Sequence, residues 1–287
     1  MVQERYIEKV WKSRPTMEGA GVRLNRAFGF YEVPLFDPFL LLDDFSSDNP
    51  DDYLSGFPWH PHRGIETITY MLAGEVQHGD SLGNKGVIGS GEVQWMTAGS
   101  GIIHEEMPRR QEGLMAGFQL WANLPSGNKM MDPRYRDIRS DEIPEVELGQ
   151  SARAKIIAGE INGVKGPVQD VVTDPEYLDV MVNPNSEIRH KVERGHNAFA
   201  YVFEGEAFFD IDRTKIYGLK NIILFSDGDE IVVTTDDNHV RFLLISGKPI
   251  HEPVSWRGPI VMNTKEELQV AFEEYRNGTF IKHDRLE

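Results

Sequence analysis

Two pairs of side chains are the residues of this chain best suited to chemistry. His60 and His62 flank one proline in the stretch FPWHPHRGIETITYMLAGE, and His104 and Glu106 are likewise two residues apart in TAGSGIIHEEMP. Residues of one parity share a face of an extended strand. Each pair would therefore present two ligand-type side chains on one side, and three imidazoles with a carboxylate suit a borderline divalent metal ion.

A second carboxylate, Glu66, competes with Glu106 for the same role. If one strand runs unbroken through Gly64, Glu66 lies on the face of His60 and His62. The apolar residues that follow on that face are Ile68, Tyr70 and Leu72. We therefore expect this face to line the interior of a barrel, and the spacing alone does not choose between Glu66 and Glu106.

A surface His-x-His pair is the alternative interpretation of His60 and His62. The second pair, the shared parity and the apolar continuation favour a metal site instead. His78, in the hairpin-like segment EVQHGD, is expected to be exposed and not a ligand. On the strand AGFQLWA, Phe118 and Leu120 are expected to pack in the core, with a place in a substrate pocket as the alternative.

Composition excludes several classes of function. The 287 residues carry a formal net charge of -16 and no cysteine. An acidic chain does not present the basic face that phosphate contacts require, so we expect no direct binding to nucleic acid. Without thiolates, any metal must be held by nitrogen and oxygen. The charged N-terminus and the absence of a long apolar run predict no membrane segment and an intracellular protein.

Short strands and an internal repeat predict the fold class. Most segments are strand-like runs of four to eight residues that end at Gly, Asn, Asp or Pro, which is typical of an all-β sandwich or barrel. The strings YMLAGE and YVFEGE indicate two copies of one β-unit. A polar, proline-containing segment between them places the boundary near residue 140, giving domains 1–140 and 141–287. The capping box that starts at Thr264 predicts a C-terminal helix that ends before Gly278.

Overlaying the two repeats predicts one metal per chain. A shift of 131 residues, from Tyr70 to Tyr201, aligns the strings. It places Lys191 at the position of His60, Glu193 at that of His62 and Asn197 at that of Glu66. The second unit thus lacks the ligand-type side chains of the first.

The motifs of the first half resemble the pirin family, whose members are bicupins of the cupin superfamily. The resemblance covers nearly the whole chain, is weaker in the second half and returns at GPIVMNT. The segments that carry it are RLNR from Arg23, LLLDDF from Leu40, HPHRGIET from His60, QWMTAGSG from Gln94, HEEMP from His104 and QLWANL from Gln119.

The resemblance implies a fold of two tandem jelly-roll-like cupin barrels with a C-terminal helix. It implies one divalent metal per chain, held by His60, His62, His104 and Glu106, with Glu66 just outside the ligand set. Iron is the expected ion, with zinc, nickel, manganese and copper as alternatives. The second barrel, residues 141–287, is expected to lack metal ligands.

The resemblance also implies a function. Family members are associated with a metal-dependent dioxygenase activity that opens the heterocyclic ring of flavonols such as quercetin with O2. The flavonol would bind the metal through its 3-hydroxyl oxygen. Glu106, or Glu66 as the less favoured alternative, would take the hydroxyl proton. The alternative is an iron-binding, redox-sensing co-regulator of a protein partner, which no segment identifies. The expected location is cytoplasmic, or also nuclear in a eukaryote.

Overall fold

The computed structural model describes residues 2–283, which form a mostly β structure with two α-helices. The elements are β1 (Ile7–Lys12), β2 (Arg14–Glu18), β3 (Val22–Phe28), β4 (Phe39–Asp44), α1 (Pro50–Tyr53), β5 (Phe57–His62), β6 (Ile65–Ala73), β7 (Val76–Asp80), β8 (Lys85–Ile88), β9 (Val93–Thr97), β10 (Ile102–Pro108), β11 (Ala116–Asn123), β12 (Arg134–Ile138), β13 (Glu145–Glu147), β14 (Ala152–Ala158), β15 (Glu160–Ile161), β16 (Val164–Lys165), β17 (Glu176–Val182), β18 (Glu187–Lys191), β19 (Asn197–Phe208), β20 (Ile216–Gly218), β21 (Asn221–Phe225), β22 (Glu230–Thr234), β23 (Val240–Gly247), β24 (Ser255–Arg257), β25 (Ile260–Met262) and α2 (Lys265–Arg276).

The chain divides into two compact units that exchange their terminal segments. Unit A consists of residues 14–33, 39–140 and the segment from Ile250 onward, and unit B of the segment up to Ser13 with residues 34–38 and 141–249. One division falls between residues 140 and 141, at the predicted boundary. The two units are nevertheless not two continuous halves of the chain. The N-terminal strand β1 pairs with β21 in unit B, and the backbone N–H of Val261, near the C-terminus, donates to the carbonyl of Arg63 in unit A.

Unit A contains two antiparallel sheets that together position the histidine pairs. The four-stranded sheet has the order β5-β10-β7-β8, and the seven-stranded sheet the order β12-β9-β6-β11-β4-β3-β2. Both predicted ligand pairs lie in the smaller sheet, because β5 and β10 are antiparallel neighbours with His60 opposite His104. Register thus brings together two segments that are more than forty residues apart in sequence.

The predicted unbroken strand through Gly64 is wrong. β5 ends at His62 and β6 begins at Ile65 in the other sheet, while Gly64 has φ of 77°. This left-handed conformation suits glycine, and it resets the alternation of side chains. As a result His60 lies on the smaller sheet and Glu66 on the larger, and the shared face predicted for them does not form.

The predicted C-terminal helix is confirmed. The Thr264 side chain accepts a hydrogen bond from the Glu267 backbone N–H, and the Glu267 carboxylate bonds back to the N–H of Thr264. Gly278 follows the last turn with φ of 73°. The apolar side of α2 packs in a cluster whose members include Ala271, Leu268, Phe272, Ile260, Met262 and Phe280. The helix therefore belongs to unit A, although the sequence assigned it to the second domain.

Unit B is built around a ten-stranded sheet whose central path is β1-β21-β19-β23-β17-β14-β13. Alternate residues of β17, β19 and β23 contribute to one aliphatic and aromatic core. The strands of residues 2–283 thus fall into two β units. In residues 2–283, neither helix combines the length and the hydropathy needed to cross a membrane.

Gly64 offers a test of the strand break. A Cβ added there would overlap the Val261 carbonyl oxygen, whereas Gly113, with φ of 95°, has open space around it. We expect Gly113→Ala to lower the free energy of unfolding by about 1 kcal/mol, the cost of a left-handed alanine. Gly64→Ala adds steric overlap and should cost about 3 kcal/mol or more. Urea denaturation measures both, and equal losses would contradict the close approach of Gly64 to Val261.

Candidate metal centre

Three imidazoles converge at the smaller sheet of unit A. The ligand atoms of His60, His62 and His104 all lie within 4.8 Å of one another. The Nε2 atom of His60 is 3.0 Å from that of His62 and 3.0 Å from that of His104. Among residues 2–283, these three side chains form the one group of histidines and carboxylates that comes together in this way.

Backbone carbonyls fix the tautomers of two of these rings. The Nδ1 atom of His60 is 3.0 Å from the carbonyl oxygen of Pro58, and Nδ1 of His62 is 3.0 Å from that of Pro259. A carbonyl can only accept, so each Nδ1 carries the hydrogen and donates it. In the neutral rings both Nε2 atoms therefore present lone pairs, and it is these atoms that face each other.

Burial keeps the rings neutral. Desolvation lowers the pKa of His60, and it lowers the pKa of His62 and His104 well below the ordinary value, with further lowering from the neighbouring imidazoles. Neutral imidazole is the form that binds metal ions. The site is thus in its ligand-competent state at neutral pH.

The donor set fits a metal ion. Lone pairs that face each other at 3.0 Å repel unless a cation lies between them. Two nitrogen atoms that are each about 2.1 Å from one ion lie about 3.0 Å apart when the angle at the ion is near 90°. The distances from His60 Nε2 to the other two Nε2 atoms are therefore what a shared ion requires.

Of the two candidate carboxylates, Glu106 lines the same cavity as His60 and His62. It follows His104 by two residues on β10, and its Oε1 atom is 3.1 Å from the hydroxyl of Thr69. Burial raises the pKa of Glu106 to about 7. The group can thus hold or release a proton near neutral pH.

Glu66 has different surroundings. The Thr97 hydroxyl donates to its Oε1 atom over 2.6 Å, and Oε2 has no hydrogen-bond partner among residues 2–283. Burial raises its pKa. Glu66 lies on the face of β6 opposite to Thr69, which lines the cavity. Glu106, not Glu66, therefore lies at the cavity that His60 and His62 line.

His78 is buried, so the prediction that it is exposed is wrong. Only 3% of its surface is accessible, its ring stacks on Tyr135 and its Nε2 atom is 4.0 Å from Asp137. The hairpin that contains it is the pair β7 and β8 of the smaller sheet, where Glu106 lies opposite His78. Tyr135 and Asp137 belong to β12 of the larger sheet, so packing between the two sheets buries His78.

A cavity of about 690 Å³ opens beside the histidines, within the usual range for small-molecule sites. Its wall combines aromatic rings with a few polar groups. The lining residues with the largest or most polar side chains are Glu18, Arg26, Phe30, Leu41, Asp43, Phe45, Tyr53, Phe57, His60, His62, Thr69, Glu106, Gln119, Trp121 and Trp256. The cavity can therefore hold a largely apolar small molecule that also carries polar groups.

Sequence reasoning missed several of these residues. On β11 the cavity is lined by Gln119 and Trp121, while Phe118 and Leu120 are fully buried on the opposite face, so their expected core role is confirmed. Strand parity gave the two faces of β11 but not which one faces a cavity. The Pro259 carbonyl could not be found, since nothing in its sequence indicates proximity to His62.

Lys191 and Glu193, the residues that the repeat overlay places at the positions of the first histidine pair, are exposed in unit B. Two histidines of that unit contact carboxylates instead: His190 Nε2 is 2.9 Å from Glu176, and His239 Nε2 is 2.8 Å from Glu204. These contacts are structural ion-pair or hydrogen-bond arrangements within unit B.

An all-β chain with two cupin domains and a three-histidine group in one of them defines a bicupin with a candidate metal site. The Pirin family model matches residues 21–122, and the model of the Pirin C-terminal cupin domain matches residues 177–281. The chain belongs to the pirin family.

Relatives and solved structures agree with this assignment. A pirin-like protein of Caulobacter vibrioides is 43% identical over 277 residues, which cover 96% of this chain and 99% of that protein. The crystal structure of quercetin 2,3-dioxygenase from Acinetobacter baumannii is 32% identical, with a TM-score of 0.89 over 96% of this chain and 98% of that one. Bacterial pirin YhhW from Escherichia coli, solved in complex with nickel(II), shares the fold at 22% identity, with a TM-score of 0.64 over 84% of this chain and 98% of that one.

The pKa of Glu106 predicts how metal-free protein responds to pH. A carboxyl whose pKa rises from 4.5 to about 7 on folding stabilises the fold fully below pH 4.5, and this contribution is lost as pH rises through 7. Glu106→Gln removes the effect. The experiment compares the free energies of unfolding of Glu106→Gln and wild type in the presence of a chelator. The value for the variant minus the value for wild type should increase by about 2 to 3 kcal/mol as the pH rises from about 5 to about 8.

Urea denaturation across this pH range measures the difference. Glu105→Gln, on the opposite face of β10, is the control for the loss of one carboxylate. The same pH dependence in both variants would show that burial of Glu106 is not its source.

Proposed function

We propose that this protein is a metal-dependent dioxygenase that opens the heterocyclic ring of flavonols such as quercetin with O2. One divalent metal ion, iron first among the candidates, would be held by His60, His62, His104 and Glu106. The observation that carries the proposal is the convergence of three imidazoles, with Nε2 of His60 3.0 Å from Nε2 of both His62 and His104, beside a cavity of about 690 Å³. The likeness to the quercetin 2,3-dioxygenase of Acinetobacter baumannii supports the substrate class.

The metal would supply Lewis-acid or redox chemistry and lower the pKa of a bound hydroxyl group. The protein would bind the substrate, exclude water and move the proton. His62 and Trp121 meet edge to face with ring centroids 5.1 Å apart, and Trp121 lies 5.9 Å from Trp256. These rings form an apolar wall on which a flat aromatic substrate can lie, and they exclude water from the reacting atoms.

Glu106 is suited to move the proton of the substrate. A general base must lie within reach of the proton that it takes, and Glu106 lines the cavity beside His60 and His62. The Thr69 hydroxyl lies 3.1 Å from Oε1 of Glu106 and 2.6 Å from Oε1 of Gln119, so its one hydrogen can go to Gln119 while its oxygen accepts a hydrogen bond from protonated Glu106. The Glu106 carboxylate would thus take the hydroxyl proton of the bound flavonol. Glu66, on the other face of β6, lacks this access.

The test is anaerobic reconstitution with Fe(II), Ni(II), Mn(II), Cu(II) or Zn(II), followed by metal analysis and by oxygen uptake with quercetin. We expect one metal per chain and metal-dependent uptake with a ring-opened product. His62→Ala removes a ligand atom and should weaken metal binding by more than about 100-fold, since even changes outside the ligand set cost about 10-fold to 100-fold. Turnover should fall with the metal content.

Two further variants separate the roles. Glu106→Gln should abolish turnover, and its metal content shows whether the carboxylate binds the ion or acts only on the proton. His239→Ala, an exposed histidine of unit B, is the matched control and should retain both metal and turnover. A full metal complement in His62→Ala would refute the ligand set. One metal per chain without oxygen uptake in the wild type would instead favour an iron-binding regulatory protein.

A further inference from the structure

One continuous band of polar side chains crosses the inner face of the larger sheet. Its members lie directly opposite one another on six neighbouring strands, in the order Arg26, Asp43, Gln119, Thr69, Gln94 and Asp137. We call this set the polar row. The first four members line the cavity. One of them, Thr69, has its hydroxyl 3.1 Å from Oε1 of Glu106.

The flanks of the polar row are apolar where they line the cavity. Leu41 and Trp121 lie opposite each other on one side of it. Phe45 lies on the other side, where its backbone N–H donates to the carbonyl of Gly117. Burial of polar groups within an apolar surface costs free energy unless they have partners, so a ligand that completes their hydrogen bonds has a specific place to bind.

Asp43 is held as an acceptor at one end of this row. The guanidinium of Arg26 donates to its two carboxylate oxygens over 2.8 Å and 2.7 Å, and Nη1 of Arg26 is 2.8 Å from Glu18. Only 4% of the Asp43 surface is accessible. Each carboxylate oxygen has two lone pairs, so Asp43 can accept a further hydrogen bond from a molecule in the cavity.

Gln119 supplies the complementary donor. Its Oε1 atom accepts the Thr69 hydroxyl over 2.6 Å. Its Nε2 atom has no hydrogen-bond partner among residues 2–283, and the residue lines the cavity directly opposite Asp43 in the sheet. A carboxylate acceptor beside an amide donor matches a hydroxyl group, which donates one hydrogen bond and accepts another.

We propose that Asp43 and Gln119 form a second recognition subsite, which binds a phenolic hydroxyl of the substrate remote from the metal. The inference rests on the proposed function and narrows it. Asp43 lies two strands from Thr69, which is about 10 Å at the usual strand spacing. The substrate class is therefore a flat aromatic compound that binds the metal through oxygen at one end and carries a hydroxyl group on a ring at the other.

Two flavonols distinguish this subsite from general binding. Quercetin carries ring hydroxyls beyond the 3-hydroxyl, whereas 3-hydroxyflavone has the same ring system and no other hydroxyl. We expect Gln119→Met to weaken quercetin binding about tenfold through the lost hydrogen bond and to change 3-hydroxyflavone binding less than about twofold. The dissociation constants are measured by fluorescence quenching on metal-loaded protein without oxygen, so binding is read independently of turnover.

Two more variants keep the result interpretable. Asp43→Asn should reproduce the selective loss for quercetin and provides a second test if Gln119→Met unfolds. Gln94→Met is the matched control, because Gln94 lies on the other side of Thr69 in the polar row and its amide donates to Asp137 over 2.9 Å, outside the cavity lining. It should leave the ratio of the two dissociation constants unchanged.

The outcomes separate this inference from the proposed function. An equal loss for both flavonols, or no loss for quercetin, in folded Gln119→Met and Asp43→Asn would overturn the subsite while leaving the dioxygenase proposal in place. Failure of metal-loaded wild type to bind either flavonol would overturn the proposed function and the subsite together. A selective loss in both cavity variants, absent from Gln94→Met, would establish the subsite.

Discussion

The centre of unit A depends on two hydrogen bonds from imidazole to backbone carbonyl. Pro58 and Pro259 accept the Nδ1–H groups of His60 and His62 and so direct both Nε2 lone pairs to one point. Pro58 is local to β5, but Pro259 belongs to the returning C-terminal segment. Orientation of His62 therefore requires a piece of chain almost two hundred residues away, and the fold must hold that piece firmly.

Two buried basic side chains, Lys129 and Arg63, meet this requirement. The Lys129 ammonium donates to the carbonyls of Gly64 and Val261 and to the Asn123 side chain over 2.7 to 3.1 Å. Arg63 bonds the carbonyl of Phe280 and the carboxylate of Glu274, a residue of α2. A buried charge that loses its partners is strongly destabilising, so these contacts keep β25 and α2 in place. The C-terminal helix thus serves the histidine site, although it lies far from it in sequence.

The break at Gly64 places two sets of cavity residues on two different sheets. Histidines and Glu106 lie on the smaller sheet, and the polar row lies on the larger one. A cavity lined by both sheets can bind a molecule at one wall through a metal and at the other through hydrogen bonds. Unit B also has a β core. At the positions that the repeat overlay gives to the first histidine pair, it carries exposed Lys191 and Glu193. Chemistry therefore depends on the residues of the site and not on the fold.

Much of this arrangement could be predicted from local sequence. Alternation and turn residues indicated an all-β chain, the repeated YxxxGE strings indicated two units, and the capping box at Thr264 located α2. The spacing of His60, His62, His104 and Glu106 marked the candidate centre, because residues two apart on a strand share a face.

What could not be predicted was set by backbone conformation and by long-range pairing. Gly64 interrupts the alternation and separates Glu66 from the histidines. Packing between the two sheets buries His78, and terminal segments cross between the units. Alternation is a local property of the chain, whereas the choice of which face meets a cavity, and which distant carbonyl orients His62, is made only when the sheets pack.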